Sequence, residues 1–481
     1  MEIALPRAFV HCDRRFGNHS DTMSRLSRRS FLAASAALMA SPAFAAKPPG
    51  EDADVIVIGA GAAGIAAARR LAAEKMRVIV FEGSDRIGGR CATDTTTFGV
   101  PFDLGAHWIH NPDTNPLIAG GAPAGFEVYP APRWQSVRVG PRRARDAELE
   151  LFLAAQVRAQ RALREPPKAK GDLAADRLLP NDLGQWKPAL EFMFGPYATS
   201  KDLASLSAAD MVRTAERTGE SFCRQGYGAL LGKLAGGLNI KLKTPVSMIA
   251  WGRSTVVETP ESLWYPRAVI LTASTNVLAG DDIEFIPPLP KNVKAAIANL
   301  PLGSLDHIAL DMPGNPLALQ KDDLVFEQAA NDKTAALLAN VSGTGLHVVS
   351  VGGAFGKELS AKGEAAMLDF ATTWLSNAFD TNVKRFIKKS RVTRWNAQEF
   401  VLGAMSAAGP GHSESRKVLA DPLGHIFLAG EALSETQWGT VNGAWESGTR
   451  TAEVVLRFLS RGKRDEPKAR SSKKRKRRGE E

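Results

Sequence analysis

Asp54-Val55-Ile56-Val57-Ile58-Gly59-Ala60-Gly61-Ala62-Ala63-Gly64 decides how this chain folds. Asp54 to Ile58 is rich in β-branched residues and reads as a buried parallel strand, because a strand covered on both faces is continuously apolar rather than alternating. The glycines that follow make G-x-G-x-x-G, and each has its own physical reason. Gly59 permits the tight strand-to-helix turn, Gly61 lets the backbone approach a pyrophosphate, and Gly64 lets the helix pack closely on the strand. The helix expected from about Ala62 to Glu74 then turns the free N–H groups of its first turn toward the phosphates. A second strand, Arg77 to Phe81, ends on Glu82, 23 residues past Gly59. That is close to the spacing of about 20 at which a carboxylate grips ribose hydroxyls. A lone glycine motif would fit any βα turn; strand, turn, helix, second strand and acid in this order specify a dinucleotide site.

A second glycine turn follows in Arg86-Ile87-Gly88-Gly89-Arg90, then Asp103-Leu104-Gly105-Ala106-His107-Trp108-Ile109-His110, and, near the other end, Phe427-Leu428-Ala429-Gly430-Glu431. Together these segments resemble the flavin-containing amine oxidases, with polyamine oxidases the nearest in pattern. The likeness runs from about Asp54 to Leu456, specific at both ends and confined to scattered motifs between. It implies FAD as cofactor, an amine as substrate, and oxygen or another electron acceptor. The implied fold class is α/β: an FAD-binding Rossmann-like domain with a second, discontinuous α+β substrate domain.

By the same resemblance, Gly59, Gly61, Gly64, Glu82, Arg86, Gly88, Gly89, Arg90, Val246, Gly430, Glu431, Thr440 and Val441 border the cofactor. Val246 stands where relatives bring a valine backbone to the adenine, and a plain core valine is the alternative. Glu431 stands where relatives contact the ribityl or pyrophosphate side. Gly439-Thr440-Val441-Asn442-Gly443-Ala444 opens a helix whose positive end would face the pyrimidine end of the flavin and stabilise negative charge there.

Two positions depart from the family pattern, and a third bears on one of them. His307 occupies the place where relatives put a lysine that holds a water against flavin N5. Met405, in Gly403-Ala404-Met405-Ser406, stands where many relatives have a tyrosine flanking the flavin, and Met cannot supply an aromatic wall. Trp438, just before the helix opened by Thr440, is a substitute for that ring or else a packed core residue. His307, Met405, Trp438 and Thr440 are therefore the candidate catalytic positions.

The chain has 481 residues, 44% of them hydrophobic, enough for two or three domains at roughly 150 residues each. The formal charge of +10 is unevenly placed. Residues 1–45 carry six basic and three acidic side chains and residues 461–481 carry eleven and four, so the body between them is neutral. A neutral body argues against a nucleic-acid surface on the folded enzyme.

Ser27-Arg28-Arg29-Ser30-Phe31-Leu32, an alanine-rich run and Ala43-Phe44-Ala45 read as a twin-arginine signal with its cleavage site, which fits between Met23 and Ala45. The apolar run is shorter than the roughly 20 residues of a membrane span, and Pro42 interrupts it. The expected partner is the twin-arginine export machinery and the expected location periplasmic or secreted; export of folded protein suits an enzyme that must load FAD first. Of three cysteines, Cys12 leaves with the leader, and Cys91 and Cys223 make no disulfide framework. No clustered His or C-x-x-C suggests a metal. Lys473-Lys474-Arg475-Lys476-Arg477-Arg478 makes the tail a solvated charge run, with contact to an anionic surface as the alternative.

The expected division is a signal peptide over 1–45, an FAD-binding domain from 46–115, 222–305 and 420–460, a substrate domain from 116–221 and 306–419, and a disordered basic tail over 461–481. Between the motifs, helices are expected over Asp146 to Arg164 and Ala365 to Phe379, and a strand over Arg391 to Trp395. Asn115 to Gly140, with Trp134, reads as loops. Trp186 to Phe194 is an apolar, aromatic stretch that packs a core or lines a channel. Two other readings stay open: an FAD-dependent dehydrogenase or desaturase using an acceptor other than oxygen, and a flavin-bound interaction protein without turnover.

Overall fold

A computed structural model describes residues 49–50, 52–121, 124–132, 135–165, 171–215 and 219–462. The twin-arginine segment, Trp134 and the basic run from Lys473 lie outside the described residues.

Val55–Ile58 is the central strand of a five-stranded parallel sheet, with all four side chains buried. Val78–Phe81 pairs with it on one side and Ala268–Leu271 on the other; Ile240–Lys241 and Ile426–Leu428 complete the two edges. Continuous apolar runs in sequence thus become strands covered on both faces, each fully buried Val or Ile contributing about 1.5–3 kcal/mol. The helix Ala62–Ala73 crosses over one face with five alanines among its buried residues. Those small side chains let the long helix Val441–Gly462 lie directly against it. A Cβ added to Gly448 would sit 2.0 Å from the Ala63 carbonyl oxygen, so only glycine permits that approach. From the central strand the chain proceeds to one neighbour first and later to the other. The carboxyl ends of Val55–Ile58 and Ala268–Leu271 therefore frame the crevice where such sheets bind their ligands.

A second large sheet has seven strands, in the order Lys389–Val392, Leu305–Asp311, Leu346–Gly352, Ala336–Ala339, Asp323–Glu327, Gln135–Val139 and Arg142–Arg143. Both faces of its central strands are buried. Ile308, Leu310, Val349 and Val351 pack beneath the helices Gly353–Ala361 and Glu364–Phe379. Ala309, Val348 and Leu338 face the opposite core, with Phe152, Trp186, Phe192 and Trp438. Strand alternation puts His307 on this second face with Ala309, opposite Ser350 of the neighbouring strand. Trp186, Leu190, Phe192 and Met193 are all buried there, which makes that stretch core.

The expected helix Asp146–Arg164 is present with those bounds. The strand expected to reach Trp395 stops at Val392, because Thr393 and the Trp395 backbone turn in to bond the buried Asp306 carboxylate. Among the described residues no helix is long and apolar enough to cross a membrane, and no group of three or more His, Cys, Asp or Glu could hold a metal. Cys91 and Cys223 are buried free thiols, and burial raises the pKa of both.

Candidate active site

The three glycines of the first turn separate by what surrounds them. At Gly59, φ is +101° and a Cβ would meet Thr272 Oγ1 at 2.5 Å; at Gly64 a Cβ would lie 1.9 Å from the Gly59 carbonyl oxygen. Protein packing therefore demands these two. A Cβ on Gly61 would meet nothing within 4 Å, and the backbone there is unstrained at φ −79°. The open space over Gly61 lies at the start of a helix with no side-chain cap, so its first N–H groups remain for an anion. The second glycine turn closes on the first, with the Gly88 N–H donating to the Ala60 carbonyl at 2.8 Å and Gly89 against Gly61. Glu82 is 7% exposed and accepts from the Ala60 N–H at 2.8 Å and from the Ser84 hydroxyl at 2.7 Å. Its carboxylate is thereby held beside the turn, and the residues present fit a dinucleotide.

Arg86 folds back on its own turn, donating to the Gly89 carbonyl at 2.8 Å. Arg90 reaches across the molecule to Glu431 Oε1 at 2.8 Å and also donates to the Ala404 carbonyl. Glu431 in turn accepts from the Ser406 N–H at 3.1 Å, the Ser406 hydroxyl at 2.7 Å and the Gly439 N–H at 2.8 Å. Burial would raise its pKa, but Arg90, Arg416 and the Ser406 hydroxyl outweigh it and hold the carboxyl below the usual range. A Cβ on Gly430 would again meet nothing within 4 Å. Val246 is buried among Ile79, Ile249 and Val257. Val441 is partly buried beside Ile65 and Tyr227.

The candidate catalytic positions are placed as follows. His307 Nε2 lies 3.3 Å from the Gly105 carbonyl and Nδ1 lies 2.9 Å from Ser350 Oγ. A carbonyl only accepts, so Nε2 carries the hydrogen and Nδ1 accepts from the serine. Desolvation by burial pushes this imidazole down to about pKa 4, opposed only in part by the Gly105 bond. His307 is therefore a neutral side chain with both nitrogens engaged. The Met405 side chain packs on Gly439, and its backbone N–H and carbonyl are both bridged by Ser200 Oγ. Thr440 Oγ1 donates to the Gln437 carbonyl at 2.7 Å and accepts from the Gly443 N–H at 3.0 Å, which makes it the cap of the last helix. Trp438 is 2% exposed, donates to the Asp210 carbonyl and lies 5.0 Å from the Arg416 guanidinium, so its ring packs the core.

Sequence reasoning missed two features. His107 Nδ1 donates to the buried Asp103 carboxylate at 2.8 Å, while Nε2 is buried without a hydrogen-bond partner among the described residues. The ring lies 4.3 Å from Phe222, whose other neighbours are Trp108 and Tyr129. The D-x-x-x-H spacing inside the quoted motif was the available signal. Asp210 and Arg416 form a bidentate pair at 2.7 and 2.8 Å, each side chain 1% exposed, and no local pattern announces it.

Residues 122–456 match the model of the family described as "Flavin containing amine oxidoreductase". The chain belongs to that family. Residues 57–119 match an NAD(P)-binding Rossmann-like domain. Over 446 residues the chain is 27% identical to polyamine oxidase 4 of Oryza sativa subsp. japonica, covering 85% of this chain and 88% of that one. In fold it is similar to cyclohexylamine oxidase from Brevibacterium oxydans IH-35A, with a TM-score of 0.70 and 19% identity over 85% of this chain and 100% of that one. A redesigned putrescine oxidase gives a TM-score of 0.71 at 18% identity, covering 85% and 99%. As a member of this family the protein is an FAD-dependent oxidoreductase with a mixed α/β fold, as expected from the glycine turns.

Proposed function

We propose that this member of the family oxidises a primary or secondary amine, polyamines included, to an imine that water hydrolyses to a carbonyl compound and an amine or ammonia. Bound FAD supplies the redox chemistry by accepting the hydride from the amine α-carbon at N5. The single observation that carries the reading on this chain's own residues is the Asp103–His107 pair, buried, with one ring nitrogen unmatched. Asp103 fixes the tautomer in which Nε2 is a lone-pair acceptor. An incoming ammonium can give up a proton to it, leaving the amine neutral and able to lose hydride. Phe222 against that ring, backed by Trp108 and Tyr129, provides apolar, water-excluding surroundings. The Gly61 turn, Glu82 and the Arg90–Glu431 pair hold the cofactor and position it.

The division into FAD-binding segments 46–115, 222–305 and 420–460 and substrate segments 116–221 and 306–419 belongs to this proposal. It is supported by the five-stranded sheet drawing its strands from the first set, while the seven-stranded sheet draws all but the start of one strand from the second. We also propose export by the twin-arginine machinery, on the motif at Arg28-Arg29.

Anaerobic mixing of the purified, yellow protein with polyamines, aromatic monoamines and amino acids tests the reaction through bleaching of the flavin band. No bleaching by any amine overturns it. A second reading, turnover with an acceptor other than oxygen, is favoured by His307, a neutral imidazole where relatives have a lysine. On that reading stopped-flow reoxidation by oxygen is slow, a quinone restores turnover, and His307→Lys speeds the oxygen reaction; rapid oxygen reoxidation unaffected by the substitution rejects it.

A further inference from the structure

Lys201 is buried, at 9% exposure, a rare condition for lysine without a carboxylate partner. Its Nζ donates to the Ala407 carbonyl at 2.7 Å, and among the described residues it makes no ion pair. The loop that carries it is pinned to the site, since Ser200 Oγ bridges the Met405 backbone and the Ser200 carbonyl accepts from the Ser304 N–H. Residues 404–407 are then held from one side of the molecule to the other. The Ala404 carbonyl accepts from Arg90, the Ser406 N–H and hydroxyl donate to Glu431, and the Ala407 carbonyl accepts from Lys201. Arg90 follows Gly89, which packs on the Gly61 turn, so this segment connects the cofactor cradle to Lys201.

The charges along it do not cancel. Arg90 pairs with Glu431, and Arg416 pairs with Asp210. Lys201 is the unmatched fifth member and leaves this largely buried cluster with one excess positive charge. In a low-dielectric setting such a charge acts over several ångströms on any negative charge that develops nearby.

We propose that Lys201 sets the reduction potential of the bound flavin by supplying the unpaired positive charge that stabilises the negative charge the cofactor gains on accepting a hydride. The balance is simple. The amine α-carbon loses a hydride, two electrons and a proton, which forms the N5–H bond and leaves the cofactor one unit more negative and the substrate a cationic iminium. Water then converts the iminium to a carbonyl compound and an ammonium, with no net release or uptake of a proton. Lys201 transfers nothing; it is a positioning and electrostatic residue. Burial is the largest influence on its ionisation, with Arg416 acting in the same direction and Asp210 and Glu431 against, and it places the pKa at about 8. The effect is therefore switchable near neutral pH. This inference rests on the FAD-binding reading but not on the identity of the amine.

The test is dye-equilibrated spectroelectrochemical titration of the flavin-loaded full chain, without substrate, from pH 6 to 10. At pH 7, Lys201→Met should shift the equilibrium of two-electron reduction about tenfold toward the oxidised form, about 30 mV. Lys201→Arg should restore the wild-type value at pH 7. The unmodified protein should show a break in potential against pH near 8, and Lys201→Arg should show none. A Lys201→Met protein that holds FAD at the wild-type potential, or a wild-type profile without the break, overturns the proposal while leaving FAD binding intact. Wild-type protein that cannot be loaded with FAD overturns the reading beneath it as well.

Discussion

Arg90 Nη1 stands 2.8 Å from Glu431 Oε1, joining residues 341 apart in the chain and tying the second glycine turn to the end of the last strand of the parallel sheet. Glu431 is 6% exposed and also receives Ser406 and the Gly439 N–H, so its charge organises both segments that follow the sheet. Glu431→Gln leaves the Arg90 guanidinium facing a neutral amide, while Arg416 keeps its pair with Asp210. Breaking such a pair costs about 3–5 kcal/mol, discounted somewhat here because Arg90 remains 29% exposed. The expected outcome is a lowered Tm and loss of FAD on dialysis. Protein that keeps its colour and melting point would show the pair to be incidental.

The glycines of the first turn make opposite predictions. Gly61→Ala adds a Cβ with no protein atom within 4 Å at an ordinary φ, so the apoprotein should melt like the wild type while FAD affinity falls steeply. Gly64→Ala drives a Cβ to 1.9 Å from the Gly59 carbonyl oxygen and should destabilise the fold itself, by about 1–3 kcal/mol or more. Fluorescence titration with FAD and thermal melts of the two apoproteins separate the effects. Equal losses of stability would mean that Gly61 is a packing residue after all.

His307 carries a pH signature. Its imidazole falls from an unfolded value of 6.5 to about 4 in the folded chain. Below 6.5 the unfolded chain takes up a proton that the native site refuses, so the contribution is fully present above pH 6.5 and is lost as pH falls toward 4. The difference amounts to on the order of 3 kcal/mol. Urea unfolding at pH 4 to 7 should show a shallower acid loss in His307→Gln than in the wild type. Parallel curves would place the histidine in a more solvated setting than the geometry indicates.

The proposed export is tested at Arg28 and Arg29. Arg28→Lys with Arg29→Lys removes the paired guanidinium groups that a receptor reads, and the precursor should remain in the cytoplasm. Cell fractionation followed by immunoblotting decides the matter, and undiminished export of the double variant rejects the twin-arginine assignment.

The cofactor cradle was legible because its parts are local. Gly59 to Arg90 spans one turn, helix, strand and turn whose glycine conformations are largely set within that unit, as at Gly64 against the Gly59 carbonyl, whereas Arg90 finds its partner 341 residues away. Helix bounds such as Asp146–Arg164 follow likewise from periodicity and short-range caps. The burial of Trp438, the pairing of Asp210 with Arg416 and the isolation of Lys201 were not legible. Each depends on groups about 200 residues away, brought together by sheet topology rather than by spacing. His307 shows the same division: its place in the motif is read from the chain, but only Gly105 and Ser350 on neighbouring segments decide that it is neutral and engaged at both nitrogens. Backbone conformation is set largely by neighbours in the chain, whereas charge state and exposure are set by whatever the fold packs alongside.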